Sequence, residues 1–361
     1  MRDTTRREHH PARRPVGRLV RRPVDRPARR LVGLGGRRGP GDAGTTGATG
    51  TAGAAGVTAR AAVSALTVAA VLAGLSGCAG DASGEAAKST SGARPTPSPG
   101  PRWDTRPDSL AAVGDSITRG FDACGVLADC PEVSWVTGTD PEVESLAMRL
   151  LEDPAGSSWN LARSSSTMAE LPAQMAEAVR HEPELVTVMT GANDACRDSV
   201  GLMTPVADFR ADFSTALKRL RTALPDTQVY VASVPDLHRL WSEGRKNPLG
   251  KEIWKLGICQ SMLSAPDALG PAATDRREQV RDRVVAYNSA LAEVCGRDPL
   301  CRYDGGAVFD YRFTGAQLSP WDWFHPSRNG QQRLAEIAYA RITAEHPAGS
   351  ASANGAAGSA G

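Results

Sequence analysis

Two short segments of the chain carry the residue types of nucleophilic catalysis. One is Gly114-Asp115-Ser116, which follows a short apolar run, and the other is Asp322-Trp323-Phe324-His325, near the opposite end of the chain. A serine hydroxyl needs a base before it can act as a nucleophile, and a carboxylate commonly orients that base. Each pattern also occurs by chance, so its meaning depends on the elements that would bring the two together.

Between residues 105 and 346, short apolar runs alternate with helical patterns. The runs that predict strands lie at residues 109–113, 158–161, 185–189, 228–234 and near 307–309. The helical patterns lie at residues 141–151, 168–180, 206–224, 277–295 and 327–345. This alternation predicts one α/β domain with a central parallel sheet of about five strands, covered by helices on both faces.

Polar residues follow the predicted strands at the points where the strands end. Ser116 follows the first strand, Ser165 the second and Asn193 the third. Asp322 and His325 come after the fifth strand and directly before the last helix. Because parallel sheets bind ligands at the carboxyl ends of their strands, we expect these side chains to meet at one edge of the sheet.

Taken together, these patterns resemble the four sequence blocks of the SGNH, or GDSL, hydrolase superfamily. The matching segments, in the superfamily's order, are Gly114-Asp115-Ser116, Asn160-Leu161-Ala162, Gly191-Ala192-Asn193-Asp194 and Asp322-x-x-His325-Pro326. Residues 114–124 and 134–139 also resemble its phospholipase-B-like branch. The resemblance implies a three-layer α/β/α, flavodoxin-like fold and ester hydrolysis with no metal and no cofactor.

The resemblance also assigns roles to individual residues. Ser116 would be the nucleophile, His325 its general base, and Asp322 the carboxylate that orients the imidazole. The oxyanion hole would use the N–H of Ser116, the side chain of Asn193 and the backbone N–H of Ser165. Ser165 departs from the superfamily, which has glycine there. If this position requires a positive φ, serine carries strain that glycine would avoid.

Four further residues have plainer interpretations. We expect Asp115 to accept a hydrogen bond within its turn and Asp194 to brace its loop. His181 and His238 lie outside the four blocks and are predicted to be surface residues. Residues 236–275 form a long segment that contains Trp254. Since long connections are often functional, we predict that it contributes to an acyl pocket, with ordinary packing as the alternative.

The cysteines indicate an oxidising compartment. Cys78 apart, the chain has an even set of six, which predicts three disulfides in an exported protein. We predict sequential pairing, although many pairings are open to six cysteines. The spacings are unlike those of zinc ligands, so we predict no metal site. The six residues are Cys124, Cys130, Cys196, Cys259, Cys295 and Cys301.

The N-terminal region differs sharply from the rest. Residues 1–57 hold thirteen arginines against four acidic residues, a charge of +9 in a chain of net charge +2, so the remainder carries −7. Such a segment cannot bury enough apolar surface to fold, and we predict that it is disordered. It is either a basic arm for nucleic acid or anionic lipid, or absent from the mature protein, with Val57 as an alternative start.

Residues 58–78 resemble a bacterial lipoprotein signal peptide. Arg60 precedes an apolar run over residues 61–75, and Leu75-Ser76-Gly77-Cys78 resembles a lipobox. The resemblance implies that Cys78 is lipidated and anchors a cell-surface protein to the membrane. An ordinary secretory signal is the alternative. Residues 79–104, rich in serine, proline and glycine, predict a linker, followed by the domain at 105–346 and a disordered tail at 347–361.

Three functions remain open at this stage. The first is a secreted serine ester hydrolase, an esterase or lipase that cleaves carboxylic or lipid esters through an acyl-enzyme. The second is a carbohydrate O-deacetylase of the same superfamily, and the third is a non-catalytic surface binding lipoprotein. We expect a monomer with no nucleic-acid partner, because the sequence has no folded basic patch and no glycine-rich nucleotide loop.

Overall fold

The computed structural model describes residues 102–345. The predicted N-terminal segment at 1–57, the signal peptide at 58–78 with Cys78, most of the linker and the tail at 347–361 lie outside the described residues. Contacts with the domain begin at Trp103, whose indole Nε1 donates to the carbonyl of Ile342 at 2.9 Å. Within the described range, no helix is both long enough and apolar enough to cross a membrane.

Five parallel strands form one sheet in the order β2-β1-β3-β4-β5. This order is that of the flavodoxin-like fold, so the predicted fold class is confirmed. Every residue of β1, β3 and β4 is buried, as expected for strands covered on both faces. The strands are β1 Leu110–Gly114, β2 Ser158–Asn160, β3 Leu185–Met189, β4 Gln228–Val231 and β5 Cys301–Tyr303.

Helices surround this sheet. In chain order they are α1 Leu146–Leu150, α2 Leu171–Ala178, α3 Ala192–Ala195, α4 Val206–Ala223, α5 Leu237–Gly244, α6 Pro248–Trp254, α7 Gln260–Leu263, α8 Pro271–Cys295, α9 Ala307–Asp310 and α10 Arg328–Ile342. Helix α4 packs between α2 and α8, and α1 packs against α10. Phe209 of α4 stacks on Tyr287 of α8 with ring centroids 4.1 Å apart.

The fifth strand lies earlier in the chain than the sequence predicted. Residues 307–309 belong to α9, and β5 is Cys301–Tyr303. The prediction was wrong because β5 is a short edge strand whose central residue is Arg302, so it lacks an apolar run. The Arg302 guanidinium is nonetheless buried, because it donates to carbonyls at the end of α10, including that of Ile342 at 3.2 Å.

Residues 236–275 are also more ordered than a long loop. They contain α5, α6 and α7 and lead into the first turn of α8, which begins at Pro271 rather than near 277. Two of these helices have clear N-caps, since Asp236 and Asn247 each accept N–H groups of the following turn. The helices were missed because they are only four to eight residues long.

Three disulfides join the cysteines in the predicted sequential pairing, Cys124–Cys130, Cys196–Cys259 and Cys295–Cys301. The second disulfide has the largest sequence separation of the three, because its cysteines are 63 residues apart. It connects the end of α3 to the start of α7. The segment that carries α5–α7 is therefore fixed covalently to the loop that follows β3.

Candidate active site

Ser116, His325 and Asp322 form a continuous hydrogen-bonded chain. The Ser116 hydroxyl lies 2.8 Å from Nε2 of His325, and Nδ1 of His325 lies 2.5 Å from Oδ2 of Asp322. Ser116 and Asp322 are buried, and the His325 side chain is 12% exposed. The sequence expectation that residues about 200 positions apart meet at one sheet edge thus describes the observed arrangement.

The turn that presents Ser116 depends on a glycine. Gly114 has a φ of +147°, and a Cβ there would lie 2.1 Å from the carbonyl oxygen of Met189 on β3. Only glycine can therefore end β1 this close to its neighbour. The next residue acts as predicted for a turn acceptor, since Oδ1 of Asp115 accepts the N–H of Ile117 at 2.9 Å. Its other carboxylate oxygen is buried with no partner.

Two buried glutamines, neither of them suggested by a motif, hold the same turn. Gln174 of α2 accepts the N–H of Gly114 at 2.7 Å and donates to its carbonyl at 3.0 Å. Gln331 of α10 donates to the carbonyl of Ile117 at 2.8 Å. A polar residue buried among apolar helix positions was the signal available in the sequence, because such residues are normally hydrogen-bonded. Helices from both faces of the sheet thus fix the position of Ser116.

The Asn160 block also braces this turn. The side-chain amide of Asn160 donates to the carbonyl of Thr118 at 3.0 Å and to the hydroxyls of Ser134 and Thr137. Its Oδ1 accepts the N–H of Ala162 at 3.3 Å. The conformation of residues 116–118 is therefore tied to β2 as well as to α2 and α10.

The loop that carries Asp322 and His325 is held in a different way. Oδ1 of Asp322 accepts the backbone N–H groups of Phe324 and His325 at 2.9 and 3.0 Å. Its carbonyl accepts the indole N–H of Trp254, from α6, at 2.9 Å. Trp254, in the segment predicted to contribute to an acyl pocket, is 1% exposed and supports the loop from behind. Its indole N–H reaches the Asp322 carbonyl and its ring packs against Gly244, so for this residue the structure shows the alternative of ordinary packing.

Acidic groups dominate the electrostatics around the imidazole. Burial opposes a charge on His325, but the hydrogen bond and charge of Asp322, with the charges of Asp115 and Asp122, raise its pKa. Although burial alone would raise the pKa of Asp322, its hydrogen bond to His325 lowers it. Asp322 therefore stays ionised and favours the imidazolium that forms when the base takes a proton.

Asp122 is a site residue that sequence reasoning missed. It is 1% exposed, and its carboxylate lies within 4.8 Å of the acid and imidazole atoms of Asp322 and His325. Burial, joined by the charge of Asp322, raises the pKa of Asp122 to about 6. Its Oδ1 accepts the N–H of Leu127 at 2.5 Å. Sequence reasoning assigned Asp122 no role, because it lies within the 114–124 segment but outside the four blocks whose residues carry the expected roles.

The two loops that carry the expected oxyanion donors, Ser165 and Asn193, are joined to each other by a hydrogen bond. Ser165 has a φ of +68°, the left-handed conformation that glycine adopts without strain. The Asn193 side chain donates to the carbonyl of the adjacent Ser166 at 2.9 Å. The hydroxyl of Ser166 in turn donates to the carbonyl of Gly114 at 2.8 Å. These contacts bring the loops after β1, β2 and β3 together beside Ser116.

Three further residues named from the sequence, Asp194, His181 and His238, do not join the hydrogen-bonded chain. Asp194 is buried and accepts the N–H of Met168 at 2.9 Å, which makes it the loop brace that was predicted. Burial raises its pKa. His181 and His238 are half-buried rather than fully exposed, and their rings pack against Trp159 and Trp241.

Two clusters within residues 102–345 have donor atoms close enough together for a metal ion. In the first, Cys124 and Cys130 are joined in a disulfide, so neither offers a thiolate. The second consists of Asp122, Asp322 and His325. There the two ring nitrogens of His325 already face Ser116 and Asp322, an arrangement suited to proton transfer.

A family comparison agrees with this geometry. Residues 112–333 match the model of the GDSL-like lipase/acylhydrolase family. The chain belongs to this family. The match includes Ser116, Asn160, Asn193, Asp322 and His325, and thus all four sequence blocks of the GDSL pattern. A search of curated proteins finds no match.

Solved structures similar to this GDSL-family chain include several esterases and lipases. A catalytic mutant of the acetylxylan esterase Axe2 from Geobacillus stearothermophilus is 17% identical, with 65% of this chain and 94% of that chain covered and a TM-score of 0.42. An extracellular lipase from Streptomyces rimosus is 15% identical, with 63% and 97% covered and a TM-score of 0.39. A family two carbohydrate esterase from Clostridium thermocellum is 16% identical, with 66% and 64% covered and a TM-score of 0.41.

Proposed function

We propose that this GDSL-family chain is a serine ester hydrolase in which Ser116 is the nucleophile, His325 the general base and Asp322 the orienting carboxylate. The observation that carries the proposal is the hydrogen-bonded chain from Ser116 Oγ to His325 Nε2, at 2.8 Å, and from His325 Nδ1 to Asp322, at 2.5 Å. It gives a weak nucleophile a base within reach, and it fixes the tautomer of that base.

The reaction has two halves. Ser116 Oγ attacks the ester carbonyl carbon while its proton passes to Nε2 of His325. The resulting imidazolium, stabilised by Asp322, then protonates the leaving alcohol as the acyl-enzyme forms. In the second half a water molecule takes the place of the alcohol, and His325 accepts its proton. The acid is released and the Ser116 hydroxyl is restored.

The tetrahedral intermediates carry a negative oxygen that needs hydrogen-bond donors. Our assignment uses the N–H groups of Ser116 and Ser165 and the side-chain amide of Asn193. The positive φ of Ser165 supports it, because the backbone there adopts the conformation of the superfamily's glycine without the glycine itself. Each such donor typically contributes about 10²–10³-fold to the rate.

Substitution of the three residues tests the proposal. We expect Ser116→Ala and His325→Ala to lower kcat for p-nitrophenyl acetate by about 10⁴-fold or more. Asp322→Asn should cost about 10⁴-fold, because its oxygen would keep the two backbone N–H groups and its NH₂ would face Nδ1, which favours the wrong tautomer of the imidazole. Ser214→Ala, on the exposed face of α4, is the matched control and should retain full activity. Wild-type turnover by Ser116→Ala would refute the mechanism, and an inactive wild type would favour the binding-lipoprotein alternative.

We also propose that the protein is exported and anchored at the cell surface through Cys78. Three disulfides support export, because such bonds persist in oxidising compartments. The lipobox-like sequence before Cys78 supports the anchor. Cys78→Ser should move the esterase activity of a bacterial host from the membrane fraction to the soluble fraction. Activity that stays with the membrane in this variant would contradict lipid anchoring.

A further inference from the structure

A narrow apolar crevice lies beside the imidazole of His325. Its walls include the residue after Ser116, the residue before Asn193, two side chains of α5 and two of the loop that leads to His325. These residues are Ile117, Ala192, Leu237, Leu240, Phe313 and Phe324, and none is more than 9% exposed. Apolar walls next to a nucleophile and its base suit the hydrocarbon part of an ester rather than a polar alcohol.

The size of the crevice limits what it can hold. Its volume is about 10 Å³. That is near the minimum that a single water molecule needs, and a methyl group is of comparable size. A longer chain would have to displace side chains that are already packed, and well-packed interiors resist added methylenes.

Phe313 lies between the crevice and surroundings that carry more polar residues. Phe313 also lines a second, wider depression of about 520 Å³. Helix α5 separates the two, since Leu237 and Leu240 line the crevice while their neighbours His238 and Arg239 line the depression. Most residues that line the depression are of charged or polar type, and they include Asp236, Glu243, Arg281 and Arg312. An acyl chain that passed Phe313 would leave apolar surroundings for charged ones, which is costly for a hydrocarbon.

We propose that this crevice is the acyl pocket and that it accepts an acetyl group, so that the substrates are acetate esters rather than long-chain lipid esters. The proposal rests on the proposed serine ester hydrolase function. Leu240 and Phe313 close the crevice and set the upper limit of chain length. The predicted contribution of residues 236–275 to an acyl pocket is thereby assigned to Leu237 and Leu240 instead of Trp254.

The test compares p-nitrophenyl acetate, butyrate, octanoate and palmitate as substrates of the wild type. We expect kcat/KM to fall at least about 100-fold from acetate to octanoate, because a pocket of fixed size discriminates about 10- to 200-fold per methylene group. Leu240→Ala and Phe313→Ala should each raise the octanoate-to-acetate ratio of kcat/KM by about 10-fold or more. Leu240→Val provides a milder truncation, with a smaller rise expected, if Leu240→Ala does not fold.

The control is Leu256→Ala, in the same segment, whose side chain is 83% exposed and does not line the crevice. It should keep the wild-type ratio. A wild type that prefers octanoate or palmitate, or enlarged variants with an unchanged ratio, would overturn the pocket assignment. These outcomes are distinct from a failure of the proposed function, which would appear as turnover independent of Ser116 or as no turnover of any of the four esters.

Discussion

The proposed nucleophile and its proposed base are supported by different kinds of structure. Ser116 follows β1, an interior strand of the sheet, and buried glutamines from α2 and α10 hold the backbone around it. His325 lies on an irregular loop whose carboxylate residue is held from behind by Trp254 of α6. The first support belongs to the sheet and its covering helices, whereas the second comes from a segment of short helices outside the sheet.

This contrast explains which parts of the site a sequence can reveal. Around Ser116 part of the constraint is local, because a tight turn after a buried strand requires particular residues at successive positions, although Gln174 and Gln331 also hold the turn from distant positions. Around His325 the constraint is distant, because Trp254 lies 68 residues before Asp322 in the chain. We therefore expect substitutions near Ser116 to damage folding and activity together, and substitutions behind His325 to affect activity more selectively.

The largest effect should come from Gly114→Ala. The new Cβ would lie 2.1 Å from the carbonyl oxygen of Met189, and the backbone would keep an unfavourable φ of +147°. We expect a loss of about 3 kcal/mol or more in the free energy of unfolding, with activity lost as well. Urea denaturation followed by circular dichroism measures this change.

Gly125→Ala is the matched control for that substitution, since a Cβ there meets no atom within 4 Å. Its stability should change by less than about 1 kcal/mol. Equal losses in the two variants would show that the strand end tolerates a side chain, and the contrast between the two supports would then lose its basis.

Trp254→Phe should separate activity from stability. The ring is mostly kept, but the carbonyl of Asp322 loses its hydrogen bond. We expect kcat to fall about 10-fold as the Asp322 loop relaxes, with a stability cost of about 1 kcal/mol. The measurements are kcat for p-nitrophenyl acetate and the melting temperature of each variant.

Trp241→Phe provides the comparison, because it removes a similar buried hydrogen bond, from Nε1 to the carbonyl of Pro266 at 3.1 Å, away from the Asp322 loop. This variant should lose comparable stability but keep its kcat. If both variants lose kcat equally, Trp254 has no specific role in positioning Asp322.

Asp122→Asn should shift the pH dependence of the reaction. The Asp122 carboxylate helps to raise the pKa of His325, so its removal lowers that pKa. Because the neutral imidazole is the active base, the acid limb of the kcat/KM profile should move to lower pH. Asp267→Asn, whose side chain is 65% exposed in an ion pair with Lys251, should leave the limb in place. An Asp122→Asn profile that superimposes on that of the wild type would contradict this role.

Asp122 should also affect stability in a predictable direction. Its pKa rises from 3.8 to about 6 on folding, so the folded state binds its proton more tightly than the unfolded state does. The resulting contribution favours folding below pH 4 and is lost as the pH rises towards 6. The Asp122→Asn variant has no carboxyl group at this position, so its stability does not fall with pH for this reason. Its stability relative to the wild type should therefore increase between pH 4 and pH 7, as urea denaturation at the two pH values would reveal.

The smallest effect should come from Ser165→Gly. The substitution relieves the left-handed strain at φ +68° but adds flexibility to the unfolded chain. We expect a change of about +0.5 kcal/mol in the free energy of unfolding and a kcat within about threefold of the wild type. Ser199→Gly, at a φ of −150°, should instead be destabilising. A large loss of kcat in Ser165→Gly would mean that the serine side chain itself takes part in the reaction.

Much of the fold could be read from the sequence, for identifiable reasons. Strands β1 and β3 are continuous apolar runs, and Ser327 caps α10 as a serine should. The sequence did not predict the position of β5, because its central residue is a buried arginine whose hydrogen-bond partners lie at the end of α10. The sequence did not predict the roles of three further residues for the same reason, since each acts on residues that are distant in the chain. They are Asp122, Gln174 and Trp254. A sequence motif records residues that are close together in the chain, whereas these contacts join residues that are far apart in it.

The Cys196–Cys259 bond has a consequence for when the enzyme becomes competent. This disulfide links two regions, the segment whose Trp254 supports the Asp322 loop and the turn that carries Asn193. Its two cysteines are 63 residues apart in the sequence. By chain-entropy reasoning, a crosslink of that span contributes about 4 kcal/mol against unfolding. A newly made chain in a reducing cytoplasm would lack this disulfide, so it would be less active on esters inside the producing cell. Under the export proposed above, full activity would arise once oxidation outside the cytoplasm has formed this bond.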